Sequence, residues 1–126
     1  MTTVLIIEDD EVLREVYATK LALEGFDVTT AVDGKEGLSI ASQTEPDIIL
    51  LDMLMPRMTG LEFLRLYRLS QRPHVKTLVL SNKSSPSDIS QAKSLGALEY
   101  LIKSQYTPSD IVERIRRHLV KPTTNQ

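Results

Sequence analysis

The sequence predicts an α/β fold: a three-layer, doubly wound sheet of five parallel strands in the order 2-1-3-4-5, with five helices. Three observations predict it. A short apolar run, a polar turn and a helical stretch recur five times in 126 residues. The first, third and fourth runs (VLII, IILL, TLVL) are continuous rather than alternating, as strands covered on both faces require. Each helical stretch opens on a recognisable capping residue.

In chain order, the first run, 4–7, gives way to Glu8-Asp9-Asp10. Asp10 is placed to cap a first helix carrying Val12, Leu13, Val16, Tyr17 and Leu21 at helical spacing, and Gly25 sits where that helix should stop. The second run, 26–31, precedes Asp33-Gly-Lys-Glu36, a capping-box pattern with aspartate in the serine or threonine position. The third, 47–51, ends at Asp52, and Thr59-Gly-Leu-Glu62 then opens the third helix in the same way. The fourth, 77–80, ends in Ser81-Asn82. Ser85-Pro-Ser-Asp88 follows, with proline at the first helical position, where its missing N–H costs nothing, and Gly96 closes that helix. The fifth, 99–102, ends at Lys103. Thr107-Pro-Ser-Asp110 opens a last helix with Ile111, Val112, Ile115 and Leu119 on one side and Arg114, Arg117 and His118 towards the other. The basic last turn complements the helix dipole. One domain, 1–121, is expected, followed by a polar tail, 122–126.

Composition removes several classes of function. There is no cysteine, which excludes disulfides, thiolate nucleophiles and Cys-ligated zinc. With only His74 and His118, a histidine-rich metal site is also excluded. A formal net charge of -2 gives no electrostatic reason to expect nucleic acid as the direct partner. The N-terminal apolar stretch is too short for a signal peptide, and no segment approaches the roughly 20 apolar residues of a membrane span. A cytoplasmic location is expected.

In a 2-1-3-4-5 sheet the ligand crevice lies at the carboxyl ends of strands 1 and 3, where the winding reverses. Those ends carry Glu8-Asp9-Asp10 and Asp52. Acids after strands often only cap the next helix, and Asp10 is expected to do so. Carboxylates converging from neighbouring strands repel unless a cation joins them or one stays protonated. Hard oxygen donors without nitrogen or sulfur favour Mg2+. Ser81 at the end of strand 4 and Lys103 at the end of strand 5 add a hydroxyl and an ammonium. Alone, either is an ordinary loop residue; together with the acids they suit the holding of a transferred phosphoryl group.

The ordered set resembles the receiver family of two-component response regulators, chemotaxis-regulator-like, with a flavodoxin-like fold. The family pattern is an acidic pair after strand 1, an aspartate after strand 3, and then M-P-x-M-x-G. Ser/Thr follows strand 4, an aromatic lies in strand 5, and lysine ends it. Here these are Glu8-Asp9, Asp52, Met55-Pro56-Arg57-Met58-Thr59-Gly60, Ser81, Tyr100 and Lys103, and the match covers residues 4 to about 120. The resemblance implies that Asp52 is the phosphoacceptor. It implies that Glu8 or Asp9, Asp52 and the backbone carbonyl of Leu54 bind Mg2+, and that Lys103 contacts the phosphoryl group. Ser81 and Tyr100 would form the switch, while Met55 and Met58 only shape the loop. It implies a sensor histidine kinase or histidine phosphotransfer protein as donor. The downstream protein target, or a homodimer contact, is expected on the face of helix 4, strand 5 and helix 5 (86–95, 99–103, 108–119). No direct nucleic-acid or membrane partner is expected, and no enzymatic activity beyond the chain's own phosphorylation and dephosphorylation.

The sequence departs from that pattern in places. Ser104 replaces the family's usual proline, and because a non-proline cis bond costs about 2.5–4 kcal/mol, the 103–104 bond is expected to be trans. Asn82 stands where alanine or glycine is common and would narrow entry to Asp52 or hydrogen-bond near it. Leu54 and Lys83 flank the site at variable positions; apolar Leu54 offers no side chain to orient an attacking water. Other readings of the chain are weaker. A magnesium phosphohydrolase would need a second acid where Leu54 stands. A flavin-binding module would need a phosphate loop where Glu8-Asp9-Asp10 would repel one. The remaining alternative is a phosphorylation-independent pseudo-receiver that only binds other proteins.

Overall fold

The computed structural model of the chain describes residues 1–119. Its strands are β1 (Thr3–Ile7), β2 (Asp27–Ala31), β3 (Ile48–Leu51), β4 (Lys76–Ser81) and β5 (Glu99–Ile102). They alternate with helices α1 (Glu11–Leu23), α2 (Gly34–Thr44), α3 (Gly60–Tyr67), α4 (Pro86–Ser94) and α5 (Pro108–Leu119). All pairings are parallel and the sheet order is β2-β1-β3-β4-β5, as the sequence predicts. The expected tail at 122–126 and the domain limit at 121 lie outside the described residues.

The continuous apolar strands work as their composition requires. Val4, Ile6, Ile48, Leu50, Leu78 and Leu80 point to one face and pack on Tyr17 and Leu21 of α1 and on Ile111, Val112 and Ile115 of α5. Leu5, Ile7, Ile49, Leu51 and Val79 point to the other and meet Ala41 of α2, Phe63, Leu64 and Tyr67 of α3 and Ala92 of α4. Edge strand β2 is the exception, with alternating exposure that matches its mixed sequence DVTTA. The predicted caps form: Asp10, Asp33, Thr59 and Ser85 each accept from a backbone N–H in the first turn of the following helix. Thr107 and Asp110 bond reciprocally at the start of α5. Gly25 and Gly96 adopt the positive φ expected where α1 and α4 stop.

Four strands differ from the expected runs: β1 begins at Thr3, β4 spans Lys76–Ser81, and β2 and β3 each begin one residue later. Phe26 lies before β2 as a core side chain. Asp47 lies before β3, where its carboxylate accepts from both the amide and the hydroxyl of Thr3 and ties the starts of the two strands. β5 ends at Ile102, as expected, and Lys103 opens a 3₁₀ turn, Lys103–Gln105. On α1, Val12 and Val16 share the helical spacing of the core residues but lie on its exposed side. Among the described residues no helix is long and apolar enough to cross a membrane.

Gly60 opens α3 against the main chain of the Asp52 segment. A Cβ at this position would lie 2.6 Å from the Asp52 carbonyl oxygen and 2.9 Å from Met53 Cα. Gly60→Ala must therefore displace backbone rather than a flexible side-chain tip. A loss of about 1–3 kcal/mol is expected, read as a lower urea midpoint at unchanged m-value.

Candidate functional site

The sheet order places the ends of β1 and β3 side by side, with Ile7 in register with Leu51. The next residues, Glu8 and Asp52, are thus neighbours because their strands are. Asp52 N–H still donates to the Ile7 carbonyl (3.1 Å), and Glu8 N–H donates to the Ala31 carbonyl (3.1 Å), so both residues start from fixed backbone. One oxygen each from Glu8, Asp9 and Asp52 lies within 4.8 Å of the others, a donor set able to hold a metal ion. Glu8 and Asp52 are buried and Asp9 is exposed. Asp10 turns away and accepts the Leu13 N–H as the α1 cap (3.0 Å).

Lys103 reaches this cluster. Its Nζ lies 2.6 Å from Glu8 Oε1 and 3.2 Å from Asp52 Oδ2. Burial pushes the Glu8 carboxyl up to about 7, with the neighbouring Asp52 adding to the rise and Lys103 opposing it. For Lys103, burial alone would favour the neutral amine. Contact with Glu8 and the charge of Asp52 override it and hold the ammonium above its usual value. One ammonium facing three carboxylates leaves the cluster short of positive charge, the condition under which a hard divalent cation fits.

The surroundings fix this geometry. Arg14 of α1 donates to the carbonyls of Glu8 (2.9 Å) and Asp9 (3.3 Å), and the Leu54 N–H donates to Asp52 Oδ1 (3.3 Å). The Leu54 side chain is exposed. Arg57, at a φ of 67°, donates from Nε (3.2 Å) and Nη2 (2.8 Å) to Asp33 Oδ2 and ties the loop after Asp52 to the start of α2. The amide of Glu36 and the Arg57 guanidinium hold the Asp33 carboxyl below the usual range. Met55 is buried in the core and Met58 packs against it.

On the β4 side, Ser81 is fully buried and its Oγ accepts the Lys83 N–H (3.1 Å). Tyr100 is half-buried and its hydroxyl donates to the Lys83 carbonyl. Burial, with the nearby Asp88 carboxylate, pushes the Tyr100 phenol up to about 12. Asp88 is itself buried, accepting from the Ser85 hydroxyl (2.6 Å) with Lys83 Nζ at 3.6 Å. The Asn82 side chain accepts the Ser104 N–H (3.0 Å). No cis peptide bond occurs among the described residues, in agreement with the trans bond expected at 103–104.

The structure therefore brings Glu8, Asp9, Asp52 and Lys103 into one cluster and places Ser81 and Tyr100 together around Lys83. Sequence reasoning missed Arg14, the Asp33–Arg57 link, the buried Asp88 and the Asn82–Ser104 bond. Asp33 was legible only as a helix cap and Asp88 only as the acid three residues after one, and neither pattern signalled Arg57 or Lys83 as a further partner.

Comparison with known proteins gives a consistent result. A family profile described as "Response regulator receiver domain" matches residues 4–116. The probable transcriptional regulatory protein TcrX of Mycobacterium tuberculosis is 33% identical over 114 residues, which cover 90% of this chain and 48% of that protein. The DNA-binding response regulator MtrA of Mycolicibacterium smegmatis is 31% identical over 116 residues, 92% of this chain and 50% of that protein. The chain thus spans about half the length of the curated relatives it matches. Among solved structures, the chemotaxis protein CheY4 of Vibrio cholerae superposes with a TM-score of 0.84 at 33% identity, covering 93% of this chain and 98% of that one. A CheY-like receiver domain from Methanospirillum hungatei gives 0.89 at 27% identity, covering 94% of both chains.

The raised Glu8 pKa has a consequence for stability. Its folded value, about 7, exceeds the ordinary 4.5, so the folded state binds more protons than the unfolded state between those values. Without divalent cations, stability should fall as pH rises from about 4.5 to 7 and then level off, by about 1–3 kcal/mol in all. Chemical denaturation at pH 5 and pH 7.5 measures this. Glu8→Gln, which cannot ionise, should remove most of the fall.

Proposed function

The chain belongs to the response regulator receiver domain family, and on that premise we propose that Asp52 accepts a phosphoryl group from a phosphohistidine of a sensor kinase or phosphotransfer protein. A carboxylate oxygen of Asp52 attacks phosphorus, the phosphorus–nitrogen bond breaks, and the imidazole leaves with its electron pair. The observation that carries the reading is the Lys103 ammonium, 3.2 Å from Asp52 Oδ2 at the reversal point of the sheet. That ammonium is positioned to neutralise charge on a phosphoryl oxygen, and the buried Ser81 hydroxyl would donate to another after leaving the Lys83 amide.

Glu8, Asp9 and Asp52 are the carboxylates that would hold Mg2+, joined by the Leu54 carbonyl in the arrangement the family resemblance implies. The donor set is all hard oxygen, and it lacks positive charge. Bound there, Mg2+ would supply the charge needed to bring an anionic donor to a carboxylate cluster. The output would be a protein partner, or a second copy, on the α4–β5–α5 face. Ser81 and Tyr100 would report the modification through the loop that both touch at Lys83. This reading makes the chain a cytoplasmic signalling domain rather than an enzyme acting on other substrates.

Intact mass after incubation with a small-molecule phosphodonor and magnesium tests the proposal. One added phosphoryl group is expected, absent in Asp52→Ala and after chelation, and formed at least about tenfold more slowly in Lys103→Ala. An adduct that survives in Asp52→Ala, or none on folded wild-type protein offered both a small donor and phosphorylated kinase, would overturn it. The second outcome would leave a phosphorylation-independent binding module. Because exposed Leu54 presents no polar group to an attacking water, Leu54→Asn should shorten the lifetime of the acyl phosphate severalfold, followed as loss of the added mass over time.

A further inference from the structure

Strands β4 and β5 pair through Ser81 and Ile102, the last rung of their ladder. One step beyond, the Asn82 Oδ1 accepts the Ser104 N–H at 3.0 Å, so a side chain supplies the rung the backbone no longer makes. Among the described residues β5 is an edge strand paired only with β4, and past Ile102 the chain enters the 3₁₀ turn Lys103–Gln105. Lys103, the residue between, must reach Asp52 at the end of β3, two strands away, and Glu8 beyond it on β1. Two strand spacings are about 9–10 Å, which leaves a lysine stem little slack. Where the chain leaves β5 therefore decides whether the ammonium arrives.

We propose that Asn82 is a positioning residue for Lys103: by holding the Ser104 amide it fixes the exit of the chain from β5 and keeps the ammonium on the Asp52–Glu8 cluster. The clip requires an N–H at 104, which proline lacks and serine supplies. It also commits the Asn82 side-chain oxygen to Ser104. Asn82 and Ser104, the two departures from the family pattern, are partners in one hydrogen bond. The bond is exposed, so its loss is not expected to unfold the chain.

The consequence for phosphorylation rests on the reading of Asp52 as phosphoacceptor, and the test separates the two. The rate of mass addition is measured with magnesium over a range of phosphodonor concentrations. Asn82→Ala should lower the saturated rate about two- to tenfold, the population shift expected from losing one modest hydrogen bond, and leave the half-saturating donor concentration near its wild-type value. Ser104→Ala keeps the amide and should match wild type. Ser104→Pro removes it and should resemble Asn82→Ala, and the double variant Asn82→Ala, Ser104→Pro should be no slower than either single variant. In unmodified protein, amide exchange at Ser104 should quicken and the order of the Lys103 side-chain methylenes, read by NMR, should fall in Asn82→Ala. Unchanged Lys103 order in Asn82→Ala overturns the proposal, as does an unchanged saturated rate. Should wild type accept no phosphoryl group, the function proposed above fails, and the NMR arm alone decides whether Asn82 positions Lys103.

Discussion

Two carboxylates, Glu8 and Asp52, are buried side by side at the ends of adjacent parallel strands, with a third, Asp9, within 4.8 Å and one ammonium, that of Lys103, against the buried pair. At an effective dielectric near 20, two such charges 4 Å apart repel by about 4 kcal/mol. The fold tolerates this only because Lys103 lies on the pair and because Glu8 moves towards protonation, its pKa pushed up to about 7. Much of the polar structure follows from that constraint. The acids cannot move apart while β1 and β3 stay in register, and the counter-charge must come from a strand at the far edge of the sheet.

A rigid scaffold is what makes such crowding possible. Ile7, Leu50 and Leu51, next to the acids in sequence, are almost wholly buried and packed on both faces, so the backbone that presents Glu8 and Asp52 has few alternative positions. The loop after Asp52 is held in turn at three points: Met55 in the core, Arg57 on Asp33, and Gly60 against the Asp52 main chain. Asp33 therefore serves twice, capping α2 and anchoring a loop whose Arg57 adopts a left-handed φ of 67°. On the β4–β5 side the segments after the two strands are joined by single hydrogen bonds: Lys83 N–H to Ser81, the Tyr100 hydroxyl to the Lys83 carbonyl, and Ser104 N–H to Asn82.

Local chemistry made much of this legible in the sequence. Continuous apolar runs gave the covered strands, and Asp10, Asp33, Thr59, Ser85 and Thr107 gave the helix starts, because each signal is confined to a few neighbouring residues. Strand order then brought Glu8 and Asp52 together by inference rather than by contact. Interactions that no local pattern signals escaped: Asn82 with Ser104 and Arg57 with Asp33, which are distant in sequence, and Arg14 with the nearby carbonyls of Glu8 and Asp9. Helical spacing also placed Val12 and Val16 beside Tyr17 and Leu21 without showing which side of α1 meets the sheet. Only the packing of α1 against α5 and the sheet decides that. Asp47 looked like the start of a strand because it adjoins an apolar run, yet its carboxylate is occupied by Thr3, across the pairing of β1 with β3.

The charge imbalance also suggests why a modification at Asp52 would be felt on another face. Lys103 already serves Glu8 and Asp52, and a phosphoryl group would add about 1.5 to 2 negative charges to the same space. One ammonium cannot neutralise the new group and remain equally close to Glu8, so the proposed function requires either a divalent cation or a shift of Lys103. On the proposed function, such a shift would act on Ser104, and through its amide on Asn82, just past the end of β4. The next residue, Lys83, holds Ser81 through its N–H and Tyr100 through its carbonyl, while its own ammonium lies near Asp88 at the start of α4. On the proposed function, electrostatic demand at Asp52 would reach the β4–α4 loop through the Lys103–Ser104 peptide bond and a short series of single hydrogen bonds. Each hydrogen bond is weak enough to exchange partners, which is the property a two-state loop needs.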